Sequence, residues 1–397
     1  MRIGIFSDTY PPYINGVSTS ILMLKNSLEK LGHEVFIVTV NPNKMKYEFE
    51  DNKKIIRLPG VPIGIYDYRL TGIYPIRVIN TIRKWKLDVI HSQTEFGVGT
   101  FARVISSQFN IPIVHTYHTY YEDYMYYITK GYFDKASKRF VRELANFYCD
   151  KSIEELIVPT KKMYDVFKEK YKFKRDVNII PTGLEIEKFY KENFDIKEVN
   201  KLKQKYNINK DDITLLFVGR IGKEKNIDLL INNMPDNKKL KLIIIGDGPD
   251  IDFYKELAVK NKIEDRVIFV GKVPYKDIPI YYQLGTIFVT ASQSETQGLT
   301  VIEALASSLP VLAINDESFR NVVINGENGF IFKDEIDYKN ILNKLLEDTK
   351  IIENISNKAR ESSKKYSADE FALKVLKVYE KAIKHKKNIF TKIKENF

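Results

Sequence analysis

The sequence predicts an α/β protein built from two doubly wound domains. Three observations predict it. The strands read as short unbroken apolar runs, as expected of strands buried on both faces of a parallel sheet. Helical spacing of apolar residues fills the stretches between them. The whole pattern, begun at residue 2, begins again near residue 213.

RIGIFS (2–7) is the first strand. Val17, Ile21, Leu24, Leu28 and Leu31 then recur at helical spacing, Gly32-His33 stops the helix, and EVFIVTV (34–40) is the second strand. KLDVIHS (86–92) and IPIVHTY (111–117) continue the first half. The second half opens with ITLLFVG (213–219) and a helix from about Asn226, followed by KLIIIGDG (241–248), RVIFVG (266–271), GTIFVTA (285–291) and LPVLAIN (309–315). Alternating strands and helices make each half its own doubly wound domain. The first domain is placed at 1–190 and the second at 213–374. The charged stretch 185–212 has no apolar strand core, so 191–212 is read as a linker. A C-terminal helix, about 375–397, is expected to pack back on the first domain. At 397 residues, two domains suit the usual size of roughly 100–200 residues each.

Composition narrows the function. Hydrophobic residues make up 44% and charged residues 29%, which is globular and not disordered. MRIGIFSDTYPP reads as a strand entering a turn, without the basic and apolar regions of a signal peptide. One cysteine, Cys149, forms no internal disulfide and fits a reducing compartment. With five histidines besides, a dedicated zinc cage is not expected. The net charge of +11 suits nucleic acid, an anionic membrane or a phosphorylated substrate. No zinc finger, recognition helix or RNP-type strand supports nucleic acid.

Four segments carry candidate chemistry. In SETQGLTVIEALASSLPVLA (294–313), Glu295 precedes a helix starting at Gly298 or Leu299, and Glu303 lies on its second turn. The open N–H groups around Leu299 and Thr300 favour phosphate. A sugar, a diphosphate and a ribose follow one another in a nucleotide-sugar. Glu295 suits the first, the helix start the second and Glu303 the third. In VGRIGKEKN (218–226), Arg220 and Lys225 flank Gly222 at a strand's carboxyl end, where two cations suit a diphosphate or a leaving nucleotide. In DTYPPYINGVSTS (8–20), Gly16 precedes a helix capped by Asn15 or Ser18, and a glycine there admits a phosphate close to the backbone. The pattern is neither a dinucleotide fingerprint nor a P-loop. In IVHTYHTYYEDYMYY (113–127), His115 and His118 are placed in an aromatic, acidic loop, with Glu122 and Asp123 as acceptor contacts.

Basic and aromatic stretches suggest a membrane surface. Arg77, Arg83, Lys84 and Lys86 stand beside Trp85, and Lys135, Lys138, Arg139 and Arg142 follow later. The tail 381–397 mixes Lys with Ile and Phe. Cationic helices with an apolar face lie in the membrane interface.

Gly16, His118, Arg220, Lys225, Glu295 and Glu303, in this order over nearly the whole chain, resemble family 4 of the glycosyltransferases. The paired Glu with seven residues between them and the G-R-x-x-x-x-K segment are its signatures. The resemblance implies a GT-B fold, two facing Rossmann-like domains with a cleft between them, and a retaining hexosyltransferase whose leaving phosphate helps to take the acceptor proton. It implies Gly16, Arg220 and Lys225 on the donor diphosphate, with Gly298, Leu299 and Thr300 beside them. It places His118 near the 6-hydroxyl of the sugar, Glu295 on the sugar and Glu303 on the ribose, with His118, Arg220, Lys225 and Glu295 as the catalytic set. No metal site and no cofactor are implied, Mg2+ being at most a stimulant that no protein motif binds. Asp247 and Asp250 flank a Gly-Pro turn and do not form an Asp-x-Asp motif. Thr182 stands in IIPTGLE where many relatives carry Asn.

The segments MRIGIFSDTYPPYINGVSTS, HSQTEFGVG (91–99), HTYHTYYEDY (115–124) and IIPTGLE (179–185) look most like the bacterial branch that glucosylates diacylglycerol from UDP-glucose. That branch implies a cytoplasmic protein held peripherally on the inner face of the cell membrane. Alternatives are another lipid-linked or saccharide acceptor, a nucleotide-sugar epimerase, and a non-catalytic binding module.

Overall fold

The computed structural model describes residues 1–13, 15–62, 69–95, 97–118, 152–293, 295 and 297–395, with side chains as far as Lys387. Two compact units emerge: residues 1–183 with 368–397, and residues 184–367.

The first unit holds β1 (Arg2–Phe6), β2 (Glu34–Val40), β3 (Glu48–Glu50), β4 (Ile55–Leu58), the small pair β5 (Val61–Pro62) and β6 (Arg69–Leu70), β7 (Val89–Ser92), β8 (Ile113–Thr116), β9 (Glu155–Val158) and β10 (Val177–Ile179). Its large sheet runs β10-β9-β8-β7-β1-β2-β4-β3, parallel except for the edge strand β3. The chain winds outward from β1 through β2 and β4, then returns to β1's other side with β7. The second unit holds β11 (Ile213–Val218), β12 (Leu240–Ile245), β13 (Val267–Gly271), β14 (Ile287–Thr290), β15 (Val311–Ile314) and β16 (Gly329–Phe332), all parallel, in the order β13-β12-β11-β14-β15-β16. Its winding reverses beside β11. At such a reversal neighbouring loops leave the sheet in opposite directions, and a crevice opens at the strands' carboxyl ends.

The expected strands all form. Sequence reading passed over β3 to β6, β9, β10 and β16, which are short or lie at sheet edges. The helix Gly16–Lys30 buries Ile21, Leu24 and Leu28 completely. Each such side chain contributes about 1.5–3 kcal/mol. Leu31 ends that helix instead of packing, and is 41% exposed. The helix Ala368–Glu395 covers the same sheet face, with Phe371, Val375 and Tyr379 in one core with Ile21, Leu24 and Leu28.

Three expectations change. Residues 191–212 are no linker: they carry a helix, Ile196–Lys205, belong to the second unit and bury Ile208 in its core. The divisions fall at 183/184 and 367/368 and not at 190 and 374. Trp85 is not a membrane residue. It is 5% exposed and stacks on Phe36 with centroids 4.9 Å apart, while its Nε1–H donates to the Lys53 carbonyl at 3.2 Å. In the helix Ile76–Trp85 it lies on the buried face with Val78 and Ile82.

Trp85→Ala therefore deletes a core anchor and is expected to cost about 3–5 kcal/mol in denaturant unfolding. Lys84→Ala, next to it but exposed, should stay within about 0.5 kcal/mol of the parent.

Candidate functional site

In the second unit, β11 and β14 are the neighbours at the winding reversal, and the loops after them converge. Lys225 ends a short 3-10 turn after β11, and Glu295 lies in the loop after β14. The Lys225 Nζ donates to Glu295 Oε1 at 2.5 Å, and the Ser292 hydroxyl donates to the same oxygen at 3.1 Å. The Ser318 hydroxyl donates to the Glu295 carbonyl at 2.5 Å, and Asn226 Nδ2 donates to the Ala291 carbonyl at 3.1 Å, tying the two loops together. Both charged side chains remain open to solvent, 15% for Lys225 and 26% for Glu295. Arg220 stands exposed two residues past β11.

The helix Leu299–Ala306 follows Glu295. Its cap residue, Gly298, has φ +69°, and a Cβ there would lie 2.6 Å from Phe319 Cε1. Both backbone and packing demand glycine at this position. Gly298 offers no side chain to cap the helix, and Leu299 and Thr300, both half-buried, carry its first N–H groups. Glu303, one turn further, is buried. Tyr282 OH donates to its Oε2 at 2.7 Å and Tyr275 OH to its Oε1 at 3.4 Å. Burial pushes its carboxyl up to about 7, against the pull of the two tyrosine hydrogen bonds. Burial, and after it the charge of Glu303, raises both tyrosines as well. Lys225 and Glu295 thus touch, whereas Glu303 lies on the tyrosines.

In the first unit the equivalent reversal separates β1 and β7. The Gln93 backbone N–H donates to the Phe6 carbonyl at 2.8 Å, bringing the loop after β7 against the end of β1. Thr94 Oγ1 donates to Asp8 Oδ2 at 2.6 Å, and the Val98 N–H donates to Asp8 Oδ1 at 3.0 Å. Asp8 so closes the start of the helix Gly97–Phe109, and burial raises its carboxyl to about 6. His118 follows β8, with Nε2 at 2.5 Å from Gln93 Oε1. Burial lowers it to about 4. His115 departs from the expected loop: it lies within β8, fully buried, with Nε2 3.1 Å from Glu95 Oε1. Asn15 is the cap of the helix Gly16–Lys30, accepting from the Ser18 N–H at 2.9 Å. A Cβ at Gly16 would meet nothing within 4 Å among the described residues.

Residues 198–362 match the model of glycosyl transferases group 1, and residues 14–188 that of glycosyltransferase family 4. The alpha-monoglucosyldiacylglycerol synthase of Acholeplasma laidlawii is 37% identical over 382 residues, covering 94% of this chain and 95% of that one. The chain belongs to family 4 of the glycosyltransferases. A second alpha-monoglucosyldiacylglycerol synthase, from Streptococcus pneumoniae, is 37% identical over 342 residues, covering 85% of this chain and 76% of that one. The Anabaena protein HepE, solved with UDP and glucose, superposes with a TM-score of 0.70 at 17% identity over 95% of this chain and 98% of that one. Two Rossmann-like domains in a family 4 glycosyltransferase constitute the GT-B fold.

In this glycosyltransferase the sequence singled out Lys225, Glu295 and Glu303 but missed their supports, Ser292, Ser318, Tyr275 and Tyr282. It also missed Asp8, Gln93 and Glu95 beneath His115 and His118. Those supports come from distant segments and have no fixed spacing to the residues they hold. The one available signal was a polar run, HSQTE (91–95), directly after an apolar strand. Glu122 and Asp123 lie outside the described residues, as do Lys135, Lys138, Arg139 and Arg142.

Glu303 makes stability depend on pH. Its folded value of about 7 lies above the ordinary 4.5, so the folded chain holds this proton more tightly than the unfolded chain. The contribution is whole below about 4.5, declines as pH rises and is lost as pH passes 7. Glu303→Gln cannot ionise. Unfolding measured between about pH 5 and 8 should favour the variant over the parent increasingly toward the alkaline end.

Proposed function

We propose that the chain transfers glucose from UDP-glucose to the 3-hydroxyl of diacylglycerol, with retention of anomeric configuration, at a membrane surface. The observation that carries this reading is the Lys225–Glu295 pair at the carboxyl ends of β11 and β14. The relation to two alpha-monoglucosyldiacylglycerol synthases supports the lipid acceptor.

The donor lies with its diphosphate at the start of the helix Leu299–Ala306, where the helix dipole and open N–H groups favour negative charge. Lys225 turns from Glu295 to the diphosphate, and Arg220 binds it from the same loop. Glu295, relieved of its cation, accepts from sugar hydroxyls, and Glu303 takes the ribose. The family resemblance assigns Gly16 to a backbone contact with phosphate. In the transfer, the acceptor oxygen bonds to the anomeric carbon as the carbon–phosphate oxygen bond breaks. The acceptor proton passes to the departing phosphate oxygen. Charge grows on that phosphate, and two cations placed in advance stabilise it without reorganisation. His118 accepts a hydroxyl of the transferred sugar. The chemistry draws on no metal held by the chain.

Membrane docking falls to the first unit. Arg77, Arg83, Lys84 and Lys86 are exposed on or beside the helix Ile76–Trp85. Ile73 and Ile76, 61% and 73% exposed, stand next to them with Tyr74. Cations bordering exposed apolar groups suit an anionic interface, at about 1 kcal/mol for each Lys or Arg. Among the described residues no helix is long and apolar enough to cross a membrane.

Labelled UDP-glucose incubated with the chain and diacylglycerol vesicles should give labelled glycolipid on extraction; label left entirely in the aqueous phase rejects the lipid acceptor. In that assay Lys225→Ala should lower kcat roughly 100- to 1000-fold, while Glu303→Ala should act mainly through donor KM. Parental kinetics in both variants removes the assigned donor site. Replacing Arg77, Arg83, Lys84 and Lys86 together by Glu should release the chain from anionic vesicles in a sedimentation assay. Binding retained at the parental level moves the docking surface elsewhere.

A further inference from the structure

Beneath His118 lies a buried polar chain that the transfer chemistry above does not use. Gln93 is 2% exposed and sits just past β7. Its amide oxygen is 2.5 Å from His118 Nε2, and its amide nitrogen lies 3.2 and 3.3 Å from the two ring nitrogens of His91. His91 is itself fully buried. Its Nδ1 is 2.7 Å from the hydroxyl of Tyr379, on the C-terminal helix, and its Nε2 is 2.7 Å from Thr116 Oγ1. Gln93 is therefore pinned at three points: by its backbone bond to Phe6, by His91 and by His118.

An amide oxygen only accepts. The imidazole nitrogen facing it must carry the proton, and in the neutral ring the other nitrogen is then bare. Among the described residues His118 Nδ1 has no hydrogen-bond partner. We propose that Gln93 is a positioning residue for the transfer, its amide oxygen holding the Nε2–H of His118 so that Nδ1 is presented as an acceptor for a hydroxyl of the substrate. This rests on the assignment of His118 to the transferred sugar and says how that residue is made ready. The ring can play this part only while neutral, and burial favours the neutral form. The titratable and charged groups around it are Glu95 from the loop after β7, His91 on β7 and His115 on β8. Arg103, on the helix Gly97–Phe109, faces His115, and Asp8 at the end of β1 faces Glu95. Glu95, also held by His115 at 3.1 Å, favours the charged form of His118, but burial outweighs it. Tyr379 gives the C-terminal helix a part in the site: it holds His91, which supports Gln93, which sets His118.

The test is nitrogen-15 NMR of histidine-labelled full-length chain, with His118→Gln identifying the signals. At neutral pH the parent should show His118 protonated on Nε2 and bare on Nδ1, and Gln93→Met should show a mixture of tautomers. In the glycolipid assay Gln93→Met should lose roughly fivefold to tenfold in kcat/KM, the worth of one hydrogen bond. Gln93→Glu keeps the acceptor but stabilises the imidazolium. It should recover most of the activity at alkaline pH and move the acid limb of the kcat/KM profile up by roughly one to three units. A parental His118 protonated on Nδ1 overturns the proposal, as does an unchanged tautomer in Gln93→Met or a Gln93→Glu profile that superimposes on the parent's. The NMR result needs no substrate, so it stands apart from any failure of the glucosyl reading.

Discussion

Everything in this chain depends on a reversal of winding beside the first strand of each sheet. β1 and β7, and again β11 and β14, are hydrogen-bonded neighbours whose following loops leave in opposite directions. Parallel strands also place all their carboxyl ends on one edge. Residues far apart in sequence are thereby delivered to one place without any local motif joining them. Lys225 and Glu295, seventy residues apart, share a 2.5 Å contact for this reason. The same geometry sets Gln93 against Phe6 and beneath His118.

Around these two crevices the polar groups are arranged under opposite conditions. Lys225 and Glu295 are paired with each other and partly open to solvent. His91, His115, His118, Asp8 and Glu303 are pressed the other way, because burial penalises the charged form more than nearby partners reward it. A glycosyl donor presents both kinds of demand. Its diphosphate needs full charge opposite it, and its hydroxyls need directed acceptors and donors. Two glycines, one in each unit, also differ in their surroundings. Gly298 is demanded by its own fold, through a left-handed backbone and the ring of Phe319. At Gly16 an added Cβ would meet nothing within 4 Å among the described residues.

The C-terminal helix has more than a packing role. Phe371, Val375 and Tyr379 complete the core under β1 and β2. Lys381 and Lys386 then reach Glu155 and Glu154 at the near end of β9. Through Tyr379 the helix also ends in the hydrogen-bond chain that leads to His118. The first unit is therefore completed by residues from both ends of the sequence, which explains why a boundary drawn from local pattern misplaced its limits.

Period and composition alone determined the two α/β units, their central strands and the main candidate residues, because buried parallel strands are apolar without interruption and a helix start after a strand is marked by glycine. Tertiary structure decided the rest. Trp85 among basic residues looks like a membrane anchor until Phe36, forty-nine residues earlier, is found stacked on it. Residues 191–212 look like a linker because their few apolar side chains are sparse, yet Ile208 is covered by a core assembled from elsewhere. The protonation of Glu303 and the tautomer of His118 depend on Tyr282, Tyr275 and Gln93, which no spacing connects to them. Burial and hydrogen bonding are properties of the assembled neighbourhood, and a one-dimensional pattern records only which residues are available to form it.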